Sequence, residues 1–422
     1  MVECHDTKAP TETLAINPSN EVSLHVQGTL TTSTCKAVAI DCDVQRIRAE
    51  RRKLIYAVVT LTACCQLGVL SRYGTGKGRQ RVFNDATALS PALPANILGS
   101  FLMGLLADGK ALSPSLQQVV NAEHTTVESL RKSALPILPG VVSSAGLDAL
   151  LLGVRTGFCG SLTTFSSWNQ DMVELLVGGD WREAFAGYMI GLMLPLGALA
   201  IGRMAALYLY LIQTRGVPTT GSGSGYCPAS PSKSQPPPPI PRMRCITSVQ
   251  RGCEARGWLV FVLAVLLVVV AIVVESVLIA TNSDDTELRR LFFGLLFGPF
   301  GAVLRWQLGV RLNVRYPPFP FGTFIANMLA IAILGILYAI KDDDVRDGYW
   351  AILQIKAIGL GFCGSLSTVS TFVVEISDRL RPQLRQGTQQ VNFNCAGATY
   401  ALCTVLAACM LGVAAFGWSS WA

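Results

Sequence analysis

The feature that most constrains this chain is a series of stretches that carry no Asp, Glu, Lys or Arg. They run from Leu54 to Ser71, Ser90 to Ala107, Thr156 to Gln170, Ala184 to Gly202, Gly257 to Val274, Leu291 to Leu304, Tyr316 to Ile340, Ala357 to Val374 and Gln386 to Ala422. A helix needs about 20 mostly apolar residues to cross the hydrocarbon layer, so these stretches predict nine membrane spans. Composition agrees. Charged residues make up 14% of the 422 positions, against roughly 25% in a soluble domain, and mean hydropathy is +0.44. The charged surface that would wrap a soluble core is missing. The net charge of +7 comes from short basic clusters beside apolar runs, a pattern that argues against nucleic-acid binding. The first 45 or so residues are polar and carry no cleavable signal pattern, so the first span is expected to serve as an uncleaved anchor.

Thirteen cysteines and three histidines (His5, His25 and His124) raise the question of disulfides or zinc. No CxxC pair occurs, and Cys64, Cys65, Cys159, Cys363, Cys395, Cys403 and Cys409 lie in apolar runs. There Cys serves as a small hydrophobe.

The chain repeats itself. Gly68-Val-Leu-Ser-Arg72-Tyr73 pairs with Gly301-Ala-Val-Leu-Arg305-Trp306, and Asn96-x-x-Gly99 with Asn327-x-x-Ala330. Further on, Gly157-Phe-Cys-Gly-Ser-Leu162 returns letter for letter as Gly361-Phe-Cys-Gly-Ser-Leu366. The order is kept, which marks a duplication. The expected architecture is all-α. A polar tail (1–52) precedes a four-span repeat (53–213) with a loop insertion at about 108–146. A disordered linker (214–256), containing Gly221 to Gly225 and Pro236 to Pro239, leads to a linking span (257–280), and a second four-span repeat (281–422) follows. Four spans return the chain to its starting side, and the one extra crossing turns the second repeat upside down. Loop charges set the orientation. Arg46, Arg48, Arg51, Arg52 and Lys53 put the amino terminus in the cytoplasm, and acidic residues such as Asp284, Asp342 and Asp347 mark outer loops. The loop with Arg72, Lys77, Arg79 and Arg81 goes against this rule. The carboxyl terminus is expected outside. Inverted repeats are a transporter and channel signature with the functional site near the midplane.

Within the spans, titratable chemistry is scarce: Arg72, Arg155, Arg203, Glu275 and Arg305 fall near the expected ends. Proton coupling and hydrolysis lack a carrier or a base, which favours passive permeation. Asn96 and Asn327 occupy equivalent midspan positions. Each could donate two N–H groups to an anion or serve as interhelical glue. The third span of each half is dense in Gly, Ser and Thr, which disfavours a continuous helix and frees carbonyls. Two such breaks meeting at the centre could cage a small cation, or the small residues could simply pack closely.

Taken together, these motifs resemble the fluoride channel family, CrcB-type or Fluc in bacteria and FEX fluoride exporters in eukaryotes, over about residues 54–212 and 290–416. The resemblance implies a fluoride-selective passive channel, an ion path for F− across the plasma membrane, two copies fused through a linking span, and function as a monomer of two halves. It places Asn96 and Asn327 on pore-lining positions. Phe165, Trp168, Val369 and Phe372 fall on the two positions of a phenylalanine box whose ring edges meet fluoride. Gly160, Thr163, Gly364 and Ser367 fall on backbone positions caging a structural Na+, and Arg72 and Arg305 on an Arg at the pore mouth or in a structural role. If each pore takes one box position from each half, one pore holds Phe165 with Phe372 and the other Val369 with Trp168. Tyr400 is followed by Thr404, whereas its counterpart Tyr188 is followed by Leu192. One working pore and one vestigial pore are therefore expected. An inverted-repeat secondary transporter of a small anion or solute is the alternative.

Overall fold

The structure, a computed structural model, describes residues 32–82, 89–106, 145–215, 246–281, 286–343, 349–380, 383–384, 391–392 and 395–421. Most of the expected insertion, the Gly- and Pro-rich centre of the linker and the first 31 residues lie outside the described residues.

Helices form where the charge-free runs are. In chain order they are α1 (Thr32–Val82), α2 (Leu93–Leu105), α3 (Ala145–Leu152), α4 (Phe165–Val177), α5 (Trp181–Arg215), α6 (Ile246–Thr281), α7 (Thr286–Leu312), α8 (Phe321–Asp343), α9 (Tyr349–Ile358), α10 (Ser370–Leu380) and α11 (Ala396–Trp421). The residues from Arg52 onward form one compact unit, and all the packing described below belongs to it. Among the described residues, seven stretches are long and apolar enough to cross a membrane, which makes the chain a multi-pass membrane protein. They lie in α1, α5, α6, α7, α8, the α9–α10 segment and α11. The other two expected spans take different forms. α2 has 13 residues, roughly 20 Å of helix, too short to cross alone. Residues 145–177 are broken in the same way as the α9–α10 segment but do not stand among the seven.

Several boundaries differ from expectation. Helix α1 begins at Thr32, inside the expected polar tail, and α6 begins at Ile246, inside the expected linker. Among the described residues the fold is helical apart from one two-rung hairpin, in which Gln383–Leu384 pairs antiparallel with Val391–Asn392. It lies between α10 and α11, where the polar loop has backbone groups to satisfy.

The packing repeats in both halves. Helix α2 lies against α5, and α8 against α11. A cluster around Phe165, Trp168, Phe372 and Tyr400 draws on α4, α5, α10 and α11, so the core is shared between the halves. A second cluster joins Leu61, Cys65 and Val69 of α1 to Leu291, Leu295 and Ala302 of α7. Helix α6 is different: almost none of its apolar stretch is buried. It touches α1 through a Tyr56–Phe261 ring stack at 4.4 Å and through Gln66 Nε2, 3.4 Å from both Glu275 carboxylate oxygens.

Candidate functional site

The Gly-, Ser- and Thr-rich segments break as their composition predicts. Each begins as a helix, widens into a π-helical turn (Gly153–Cys159 and Gly359–Cys363), makes one short turn, and then becomes extended. Thr163 (φ −86°, ψ 147°) and Ser367 (φ −83°, ψ 157°) hold that extended conformation before α4 and α10 resume. An interrupted helix leaves new N-terminal amides without partners. Here each break caps the other. Ser367 Oγ accepts from the backbone N–H of Phe165 (3.2 Å) and Ser166 (3.1 Å). Thr163 Oγ1 accepts from Val369 N–H (3.3 Å) and Ser370 N–H (3.1 Å). Ser166 and Ser370 then donate across to the carbonyls of Cys363 and Cys159.

Carbonyls freed at the two breaks go to the arginines. Arg72 Nη1 donates to Gly364 O and Ser161 O at 2.6 Å each, and its Nη2 to Leu360 O at 2.5 Å. Arg305 Nη1 donates to Gly160 O (2.6 Å) and Ser367 O (3.1 Å), and its Nη2 to Thr156 O (2.5 Å). Each arginine reaches into the opposite half, and Gly364 and Leu360 hold the same repeat positions as Gly160 and Thr156. Both arginines are buried. They stand within their helices, which continue to Val82 and Leu312, rather than at the ends where the charge-free runs stop. A charge normally marks the end of a span, but a guanidinium can be accommodated inside one when its N–H groups meet free carbonyls. Glycine is required where they arrive. A Cβ on Gly160 would overlap Arg305 Nη2 and stand 2.7 Å from its Cζ; one on Gly364 would overlap Arg72 Nη2 and stand 2.7 Å from that Cζ.

This geometry bears on the sodium ion that the resemblance implies. Of the four carbonyls expected to cage it, those of Gly160, Gly364 and Ser367 accept from guanidinium N–H groups. Neither arginine has a carboxylate partner among the described residues. A further cation about 4 Å from one of them would meet repulsion of about 4 kcal/mol at an effective dielectric of about 20. The donors in this arrangement do not fit a sodium ion.

Around this centre stands a line of rings in edge-to-face contact. Phe165 meets Phe372 at 5.4 Å and 86°, and Trp168 at 5.3 Å and 85°. Trp168 continues to Tyr188 (5.7 Å), and Phe372 to Tyr400 (5.2 Å). The pairing of Phe165 with Phe372 is the expected one. Trp168, expected to stand apart with Val369, also joins the line through Phe165. Its indole fills space left by a glycine, since a Cβ on Gly191 would overlap it, and its Nε1–H donates to Gly187 O at 3.3 Å. Val369 is fully buried.

Asn96 and Asn327 clip the breaks. Asn96 Oδ1 accepts from Thr164 N–H (2.9 Å) while its Nδ2 donates to Thr164 O (3.2 Å). Asn327 does the same to Thr368, at 2.8 and 3.3 Å. One amide N–H of each is therefore engaged, leaving one for an anion rather than the two expected. Thr404 is buried and donates its hydroxyl proton to Tyr400 O at 2.7 Å.

Sequence reasoning missed Glu375. Its carboxylate accepts from Thr323 Oγ1 (2.6 Å), Asn313 Nδ2 (2.9 Å) and Tyr400 Oη (2.9 Å). It stands one residue past the charge-free run that ends at Val374, so it reads as a span boundary. Its repeat counterpart, Asp171, likewise accepts a hydroxyl, from Ser90. The shared spacing of Asp171 and Glu375 after the two breaks is a usable signal.

No solved structure matches the chain. The chain is 27% identical over 363 residues to Fluoride export protein 1 of Neurospora crassa, covering 79% of this chain and 62% of that protein. It is 26% identical over 285 residues to Fluoride export protein 1 of Candida albicans, covering 66% and 65%. It thus spans just under two thirds of the length of these two fungal relatives. With the Fluoride-specific ion channel FluC of Chromobacterium violaceum it shares 39% identity over 119 residues, 28% of this chain and 86% of that shorter protein. The model of the family described as CrcB-like protein, Camphor Resistance (CrcB), matches residues 57–203 and 292–417, which take in both breaks, both arginines and the whole ring line. With well over half its length matched, the chain belongs to the CrcB-like family.

Proposed function

We propose that this chain is a passive fluoride channel, not an enzyme, that lets F− leave the cytoplasm across the plasma membrane. The observation that carries the reading is the buried edge-to-face pair Phe165–Phe372, one ring from each half, in a chain whose relatives are named fluoride export proteins and fluoride-specific ion channels. An aromatic ring carries positive potential at its edge, so such a pair offers an anion a path that needs no basic side chain.

Two four-helix halves face each other upside down, with α6 as the linking span, the amino terminus in the cytoplasm and the carboxyl terminus outside. The extra crossing supplied by α6 supports the inversion, and the reciprocal arginine and hydroxyl contacts support a two-fold relation between the halves. One conduit works, lined by Phe165, Phe372, Tyr400, Thr404 and the remaining amide N–H groups of Asn96 and Asn327. The other is vestigial: Val369 supplies no ring, and the Trp168 indole is wedged against Gly191. One fused chain supplies both halves, so a monomer suffices.

Selectivity against larger halides follows from a narrow, dry path whose few N–H, O–H and ring-edge donors suit a small ion. HF crosses membranes neutral and dissociates in a near-neutral cytoplasm, leaving F− trapped. A negative-inside potential then drives the anion out with about 2.3 kcal/mol per charge per 100 mV.

The test is fluoride-electrode efflux from liposomes holding the purified chain. Efflux is expected in wild type, abolished in Phe165→Ile and Phe372→Ile, and nearly unchanged in Val369→Ala. Equal loss in all three variants would refute the single-conduit assignment. Rates saturating at low substrate would point to an alternating-access transporter instead.

A further inference from the structure

We propose that the guanidiniums of Arg72 and Arg305 are the molecule's own central cations, standing in for the sodium ion that the family resemblance implies. Three observations carry this. First, the carbonyls of Gly160, Gly364 and Ser367 accept from guanidinium N–H groups at 2.6, 2.6 and 3.1 Å, so charge-assisted bonds engage three of the four oxygens expected to hold a metal. Second, the space is shaped for a planar fork rather than a spherical ion. Each guanidinium spans two levels of the opposite break: Leu360 and Gly364 for Arg72, Thr156 and Gly160 for Arg305. Glycine at 160 and 364 lets the fork come within reach. Third, the two charges have no carboxylate partner among the described residues, so the centre already carries uncompensated positive charge that repels a metal cation.

The consequence is a fixed positive centre beside the ring line, covalently part of the chain and independent of cations in solution. Bound sodium would make the folded state's stability depend on sodium concentration. Arginine does not.

The experiment needs no fluoride. Purified full-length chain, desalted into sodium-free buffer, is melted across a sodium chloride series and a matched choline chloride series. The unfolding midpoint is expected to agree between the two salts within about 1 °C at every concentration. A saturable rise with sodium and not choline overturns the proposal, as does radiolabelled sodium retained through desalting. Arg305→Gln, which frees the Gly160, Thr156 and Ser367 carbonyls, is expected to melt lower and to acquire a sodium-dependent midpoint. Should that variant fail to fold in every salt, the wild-type comparison decides alone. A wild type that melts alike in both salts but fails to pass fluoride would count against the channel reading, not against this one.

Discussion

At Gly160 and Gly364 a guanidinium from the opposite half arrives where a side chain would begin, so a methyl group at either site would overlap it. The guanidinium is held at both ends of its fork, so giving way would break those hydrogen bonds. Gly160→Ala and Gly364→Ala should therefore each destabilise by about 2 kcal/mol or more, read as a fall in the thermal midpoint. Gly197 is the control: it is exposed within α5 with nothing within 4 Å of its Cβ position. Gly197→Ala should be neutral or stabilise by up to about 1 kcal/mol. The letter-for-letter repetition of Gly-Phe-Cys-Gly-Ser-Leu marks both critical glycines in the sequence. What approaches them is an arginine 145 or 292 positions away in the chain, which no local pattern reveals. The burial of the arginines within their helices escapes a sequence reading for a physical reason. Counting charge-free residues treats every charge as a boundary, and the rule fails where a broken helix offers carbonyls to the charge. Glu375 is lost to the same rule by one residue.

The breaks are the elements on which the site depends, and their existence is legible: dense Gly, Ser and Thr inside an apolar run weakens a helix. Their mutual capping is not, because each hydroxyl and the amides it caps lie about 200 residues apart, Thr163 with Val369 and Ser370, Ser367 with Phe165 and Ser166. Ser367→Ala removes the acceptor for Phe165 N–H and Ser166 N–H without adding bulk. It should cost about 1–2 kcal/mol, as the loss of an N-cap does, and Thr163→Val should cost a similar amount at the start of α10. Thermal unfolding of the two single variants checks this. A separate polar knot ties α10 to α8 and α11 through Glu375. Glu375→Leu strands the buried Thr323 and Tyr400 hydroxyl donors, whereas Asn313 Nδ2 keeps Thr323 Oγ1 as an acceptor. At about 1–3 kcal/mol for each buried donor left unpaired, it should lose at least about 2 kcal/mol. Glu375→Gln keeps an acceptor oxygen and should lose less, because Tyr400 can turn its hydroxyl to accept from the new amide.

For the whole molecule, the number of apolar runs and their duplication are readable from sequence, because hydrocarbon thickness sets a length that composition must meet. The arginine contacts between the halves are not, because they run to backbone oxygens that carry no sequence signature. Those contacts predict how the chain behaves when cut. Severing it within residues 216–245 leaves one fragment ending with α5 and another beginning with α6. In isolation, Arg72 keeps only the Ser161 carbonyl and loses Gly364 and Leu360, while Arg305 keeps Ser367 and loses Gly160 and Thr156. Each fragment would then hold a buried guanidinium short of acceptors, and would also lose the hydroxyl that caps its broken third span. An uncompensated buried charge costs about 3–5 kcal/mol, a large part of a typical domain's stability. The two fragments, co-expressed with different affinity tags, should therefore copurify, and either one alone should aggregate or be degraded. If each fragment is recovered alone as a folded, monodisperse species, the halves do not depend on each other in the way these contacts require. Recovery of the pair only together would show that the shared centre, rather than the linker, holds the halves as one molecule.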